Sequence, residues 1–268
     1  MPVPLVAGFP THVTRSGSGA RRAVFLHCSL AHSGAWAPAQ AVLAERLDMV
    51  CFDRPSHGRS GAWDGEGGAA GLLDLTARIA GALAGEGADI VGHSFGGIAA
   101  LRLALTRPDL VRSLTLIEPP LFAAIRGGPR FAAHAGAMER FEAALAAGDR
   151  MKAAEIFNAA LSPESPWSEM TQAARAGLAR RIHLIADENP VTLDDIAGLL
   201  APGGLDAVDR PVLLIGGDLS PPIMDEVMSA LAARLPAARR AVIAGAGHMS
   251  PVTHPQAVAG EIARFLGL

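Results

Sequence analysis

The chain has 268 residues, half of them hydrophobic, and a formal net charge of −3. That length and apolar content support a sizeable core, in one large α/β unit or two small ones. The charge excludes the basic field a nucleic-acid surface needs, and no apolar run approaches the ~20 residues of a membrane span. Met1-Pro2-Val3-Pro4 lacks the basic and apolar regions of a secretory leader, so a cytoplasmic location is expected. Cys28 and Cys51 fall in no metal-ligand spacing and read as small buried thiols at strand edges.

In chain order, residues 11–15 read as an early antiparallel strand, followed by the turn Ser16-Gly17-Ser18-Gly19. Residues 22–26 form the next strand, 36–47 a helix, 49–52 a strand and 72–83 a helix with Leu72, Leu75, Ile79 and Leu83 on one face. A short apolar run, 89–91, leads into Gly92-His93-Ser94-Phe95-Gly96 and a helical pattern over 98–105; 113–117 is the strand after it. This alternation predicts βαβ units and a parallel sheet. From Pro120 to about Asp209 only helical periods occur, with one longer helix over 172–187 ended by Asn189-Pro190. Strand logic returns at 211–215 and 241–243, with helices over 223–235 and 256–266. The expected organisation is therefore a core of residues 1–119 and 210–268 with a helical cap, or lid, of residues 120–209. The cap enters after a strand end, where ligands bind in open α/β sheets.

The motif G-x-S-x-G between a strand and a helix is the pattern of a nucleophile elbow. It holds a serine on a strained turn near a helix N-terminus, where free N–H groups favour developing negative charge. Ser94 is the expected nucleophile. A serine needs a base, and the base an orienting acid. His248, in Ala244-Gly245-Ala246-Gly247-His248-Met249 after the last strand, is the expected base; His254, before Pro255, reads as a capping or surface group. Two carboxylates at strand ends, Glu118 and Asp218, are candidates for the acid. The oxyanion donors are expected from the backbone of Phe95 and from Ser29 in the loop after the first core strand. Asp53-Arg54-Pro55-Ser56-His57-Gly58-Arg59-Ser60 reads as a structural turn walling the site, with Asp53 in backbone hydrogen bonds. His27 and His32 lack an accompanying carboxylate, so no metal site is expected. Trp36, Phe122, Phe157 and Trp167 are candidate pocket walls.

With Leu26-His27-Cys28-Ser29, the Asp53 to Ser60 turn, Gly92 to Gly97 and Gly245-Ala246-Gly247-His248 in this order, the chain resembles the α/β-hydrolase fold superfamily. The resemblance covers nearly the whole length and implies a mostly parallel sheet flanked by helices. Three positions depart from the common pattern. His27-Cys28 stands where His-Gly is usual, and Ser56 replaces the glycine of Pro-Gly-His-Gly. The common Gly-x-x-Asp, read from Gly217, places Ser220 at the usual acid position and Asp218 two residues early. Some relatives, such as certain haloalkane dehalogenases, carry the acid after the strand following the elbow, as Ile117-Glu118 does here. Glu118 is therefore preferred, with Asp218 the alternative.

The resemblance implies a serine hydrolase acting on a small ester or lactone through an acyl-enzyme, without metal or cofactor. Carbon–carbon bond hydrolases and cofactor-free haloperoxidases or perhydrolases share the pattern. A ligand-binding, receptor-like protein of this fold is the alternative of another class. The expected partner is a small molecule, with no nucleic acid or membrane, and a monomer or homodimer as the assembly.

Overall fold

The structure, a computed structural model, describes residues 3–268; Met1 and Pro2, part of the N-terminal stretch read above for a leader, lie outside the described residues. The chain opens with a two-stranded hairpin, β1 (Leu5–Val6) and β2 (Phe9–Pro10). Its turn residues Ala7 and Gly8 both adopt positive φ. Next come β3 (Val13–Ser16), β4 (Arg21–Leu26), α1 (Ala37–Leu43), β5 (Leu47–Phe52) and α2 (Gly68–Ala84). β6 (Ala88–His93), α3 (Phe95–Thr106) and β7 (Val111–Ile117) follow, then four helices without an intervening strand. These are α4 (Pro129–Ala146), α5 (Arg150–Leu161), α6 (Gln172–Arg181) and α7 (Leu184–Asp194). The chain ends with β8 (Val212–Gly217), α8 (Pro222–Arg234), β9 (Ala238–Ile243), the short α9 (Ser250–Thr253) and α10 (Pro255–Leu266).

Seven strands form one sheet in the order β3-β5-β4-β6-β7-β8-β9, parallel except for β3 against β5. The expected mostly parallel α/β-hydrolase sheet is thus present. The buried part of β4, residues 23–26, is apolar on both faces because helices cover both. Alternate residues enter opposite cores. Val24 and Leu26 pack with α2, α3 and α8; Ala23 and Phe25 pack with α1 and α10. A third cluster, built on Met138, Phe141, Ala154, Ile182 and Ile185, lies within the four-helix segment and takes in Leu30 from the β4–α1 loop. Leu121, Phe122, Val191, Leu199 and Leu205, nearer the ends of that segment, join the main core instead.

Two helices differ from the sequence expectation. The helix expected over 36–47 is a 3-10 turn, Ser33–Trp36, followed by α1, which ends at Leu43. Leu47 instead opens β5, in parallel register with Arg21. The helix expected over 172–187 is two, broken at Ile182-His183, where neither glycine nor proline signals a stop. The second runs through Pro190 to Asp194, because Glu188, Val191 and Thr192 are buried on its inner face and tertiary packing outweighs proline's cost.

Four non-glycine residues in left-handed conformation follow the C-terminal ends of four neighbouring strands. Ser56 (φ 63°) follows β5, Leu30 (62°) β4, Ser94 (55°) β6 and Glu118 (43°) β7.

Candidate active site

Ser94 stands between β6 and α3 with φ 55° and ψ −126°. Its N–H donates to Ile117 O at 2.8 Å and its carbonyl accepts from Gly97 N–H at 2.7 Å. The flanking glycines are required by close approach. A Cβ on Gly92 would stand 2.6 Å from Gly97 Cα, and one on Gly96 would stand 2.5 Å from Leu26 O. Phe95 is the first residue of α3, so its N–H has no acceptor within the helix.

Across the sheet end, His248 Nδ1 meets Glu118 Oε2 at 2.8 Å, with both side chains buried. The other carboxylate oxygen, Oε1, accepts from Gly217 N–H at 2.8 Å and from the Ser220 hydroxyl. Ser220, at the position where the family pattern would place the acid, therefore supports the carboxylate supplied by β7. Burial pushes the Glu118 carboxyl up, but the His248 hydrogen bond and charge, with the Ser220 and Gly217 donors, outweigh it and hold it below the usual range.

The structure does not bring Asp218 to His248. Asp218 is exposed, and its Oδ1 accepts from Gly245 N–H at 2.7 Å. The physical reason is its place two residues ahead of Ser220, where it turns outward against the glycine loop. His93, beside Ser94, donates from Nε2 to His248 O at 2.9 Å and ties the loop carrying His248 to the Ser94 turn. Burial pushes His93 down to about 3, so its ring is neutral at physiological pH.

Ser94 and His248 line one cavity of about 240 Å³. Among the described residues, no hydrogen bond joins their side chains. Ser29 lines the same cavity. Its hydroxyl donates to Glu188 Oε2. Larger surface clefts, of about 430 and 420 Å³, lie beside α2 and carry neither Ser94 nor His248.

Sequence reasoning missed Glu188. Its fully buried carboxylate, on α7, accepts from Arg54 Nη2 at 2.7 Å and links the helical segment to the turn after β5. The guanidinium also lies over the Phe95 ring, 4.8 Å from its centroid. No signal in the sequence joins residues 134 positions apart. Glu164 was also missed; it reaches from the α5–α6 loop to the loop carrying His248, and a Cβ on Gly247 would stand 2.6 Å from its Cγ. Asp53 accepts from Ser33 N–H at 2.7 Å and Arg59 N–H at 2.8 Å, the backbone role expected of it. His27 is equally structural, its Nε2 accepting from Arg54 N–H at 2.9 Å. Among the described residues, no group of three or more His, Cys, Asp and Glu side chains is placed to hold a metal ion. Of the four expected walls, Phe122 and Phe157 line cavities beside Ser94. Trp36 does not; it is buried edge-on against Phe25 and near His93, in the core α1 shares with the sheet. Trp167 packs under Arg175, 5.6 Å from its guanidinium carbon.

Residues 23–261 match the Alpha/beta hydrolase family. The chain belongs to that family. This alpha/beta hydrolase is 29% identical over 272 residues to a protein named Lipase LipV from Mycobacterium tuberculosis, covering 96% of this chain and 97% of that one. It is 32% identical over 114 residues to the dihydrolipoyllysine-residue acetyltransferase component of an acetoin cleaving system from Cupriavidus necator, covering 42% of this chain and 30% of that one. The chain spans about a third of the length of the first curated relatives it matches. The crystal structure of an alpha/beta hydrolase from Sphaerobacter thermophilus superposes with a TM-score of 0.75 at 24% identity, covering 99% of this chain and 100% of that one. Among the described residues, no helix of this alpha/beta hydrolase is long and apolar enough to cross a membrane.

Proposed function

We propose that this hydrolase cleaves small esters or lactones through an acyl-enzyme on Ser94. The observation that carries the reading is the buried Glu118–His248 pair, 2.8 Å from Oε2 to Nδ1, beside a cavity that His248 shares with Ser94 on its strained turn. Glu118 fixes the His248 tautomer with Nδ1 protonated and Nε2 free to accept. Ser94 Oγ attacks the carbonyl carbon and its proton passes to Nε2. The Phe95 and Ser29 N–H groups hold the oxyanion. Collapse breaks the bond to the leaving oxygen, which takes the proton from Nε2. Water then attacks the acyl-enzyme and gives its proton to His248 Nε2, and Ser94 Oγ leaves, taking that proton back. The helices within residues 120–209 act as the lid, since α5, α6 and α7 supply the outer walls of the cavities beside Ser94. The whole-length likeness to a protein named a lipase supports an ester substrate.

The test is covalent labelling with a fluorophosphonate, read by intact mass, on the wild type and on Ser94→Ala. One adduct on the wild type and none on the variant is expected, followed by turnover in an ester and lactone panel. A folded wild type that takes no adduct would overturn the reading.

A further inference from the structure

The space around Ser94 is divided. One chamber, of about 240 Å³, is walled by Leu30, Met170, Leu178, Met249 and His248. The other, of about 30 Å³, is walled by Phe122, His134, Met138, Ile185 and Glu188. Ser94, Ser29, Phe157 and Leu161 belong to both, so the serine sits at the junction. His248 faces only the larger chamber.

That asymmetry assigns the two halves of an ester. The group that leaves must take its proton from His248, so it has to lie on the side His248 faces. The acyl group must then point into the other chamber. On the same measure the small chamber offers about one eighth of the room of the larger one, so with the carbonyl carbon held at Ser94 it takes the shorter of the two groups. Its end wall also opposes a longer alkyl chain. The Glu188 carboxylate is tied to Ser29 and Arg54, and His134 stacks on Phe122 with centroids 3.9 Å apart, so neither yields without breaking buried contacts. A longer chain would have to bury methylenes against a carboxylate.

We infer that the site selects esters of short acids with bulkier apolar alcohols, the alcohol lying in the chamber that His248 faces. This rests on the serine-ester reading above. The acyl-enzyme formed is then a small acylated Ser94, and the alcohol departs with the proton from His248 before water enters from the vacated chamber.

The experiment measures kcat/KM for two series: 2-naphthyl esters with acyl chains of two, four and eight carbons, and acetates of methyl, benzyl and 2-naphthyl alcohols. The expected result is a fall of at least tenfold from acetate to octanoate, and a rise with alcohol size. Ile185→Ala and Met138→Ala each enlarge the small chamber, so the preferred acyl length moves to four carbons or more; Leu178→Ala changes the alcohol ranking and not the acyl ranking. Octanoate turned over as well as acetate by the wild type would overturn the chamber assignment and leave the serine-ester reading standing. Fluorophosphonate labelling of Ser94 without turnover of any ester would overturn both.

Discussion

Replacing Glu118 by Gln isolates the charge that the fold places behind His248. The pair is 2.8 Å apart, and the two side chains are 1% and 6% exposed, so solvent screens it little. When His248 takes the serine proton, an imidazolium forms about 4 Å from the carboxylate charge centre. At an effective dielectric of ~20 that attraction is worth ~4 kcal/mol, about three decades in rate. Gln keeps the size and one acceptor, for Gly217 N–H and the Ser220 hydroxyl, so the fold survives and KM changes little, but its NH2 then faces His248 Nδ1 and cannot accept from it. Turnover should fall by about two to four orders of magnitude, with the melting temperature within a few degrees of wild type. Asp218→Asn removes one exposed charge but keeps an acceptor for Gly245 N–H, and kcat should change less than threefold. Ser220→Asp adds a sharper test, because the Ser220 hydroxyl already touches Glu118 Oε1. In the wild type it forces two carboxylates together and lowers activity; in the Glu118→Gln background it restores at least tenfold. Steady-state kinetics on all four variants, with circular dichroism as the folding control, decide the matter. Equal kcat losses for Glu118→Gln and Asp218→Asn would refute the reasoning.

Acid should destabilise the protein well before carboxylates protonate. Burial pushes His93 down to about 3 and His134 to about 4, so the unfolded chain binds protons that the folded one refuses. Stability is then lost as pH falls below ~6.5, each ring costing ~2 kcal/mol by pH 5. Glu118, depressed in the folded state, adds a loss only below pH ~4.3. His27 and His57, also pushed well below the usual range by burial, add to the same loss; urea melts at pH 7, 6 and 5 check this, and His134→Phe should remove about a quarter of it, while a flat profile would contradict it. Burial raises the Cys28 thiol to about 12 and raises Cys51 as well, so iodoacetamide at pH 8 should modify neither in the folded protein. Both should react after denaturation, read by intact mass; rapid labelling of native Cys28 would show that the cavity wall opens. Glu188→Ala leaves Arg54 buried and unpaired, which costs ~3–5 kcal/mol. Calorimetry should show a drop of roughly 6–20 °C in melting temperature.

Much of the fold was legible because its signals are local. Alternating apolar runs gave the parallel sheet, and the glycines around Ser94 and His248 marked the tight turns. Other features depend on contacts the chain order hides. Spacing from Gly217 put Asp218 two residues early and favoured Glu118, but which carboxylate reaches His248 depends on how the loop after β8 turns. Ser220 carried a signal, being the wrong residue type at the usual acid position, but its meaning emerges only with Glu118 beside it. The break at Ile182-His183 and the helix running through Pro190 follow from packing of buried residues, not from propensity. Trp36 read as a pocket wall because a large aromatic in the loop after β4 fits either side of the sheet; the 3-10 turn over Ser33–Trp36 instead sets it against Phe25.

The row of left-handed residues after β5, β4, β6 and β7 bears on how such a protein can be made hardier. A non-glycine residue in that conformation costs on the order of 1 kcal/mol or more, so the four together rival a large share of a domain's net stability. Ser94 and Glu118 carry chemistry in the proposed mechanism and cannot give that strain up. Ser56 can, at the loss of the hydrogen bond its hydroxyl accepts from Trp63 N–H. Glycine is the residue the family pattern places there, so thermal tolerance and turnover are separable at this edge of the sheet, one strand end at a time.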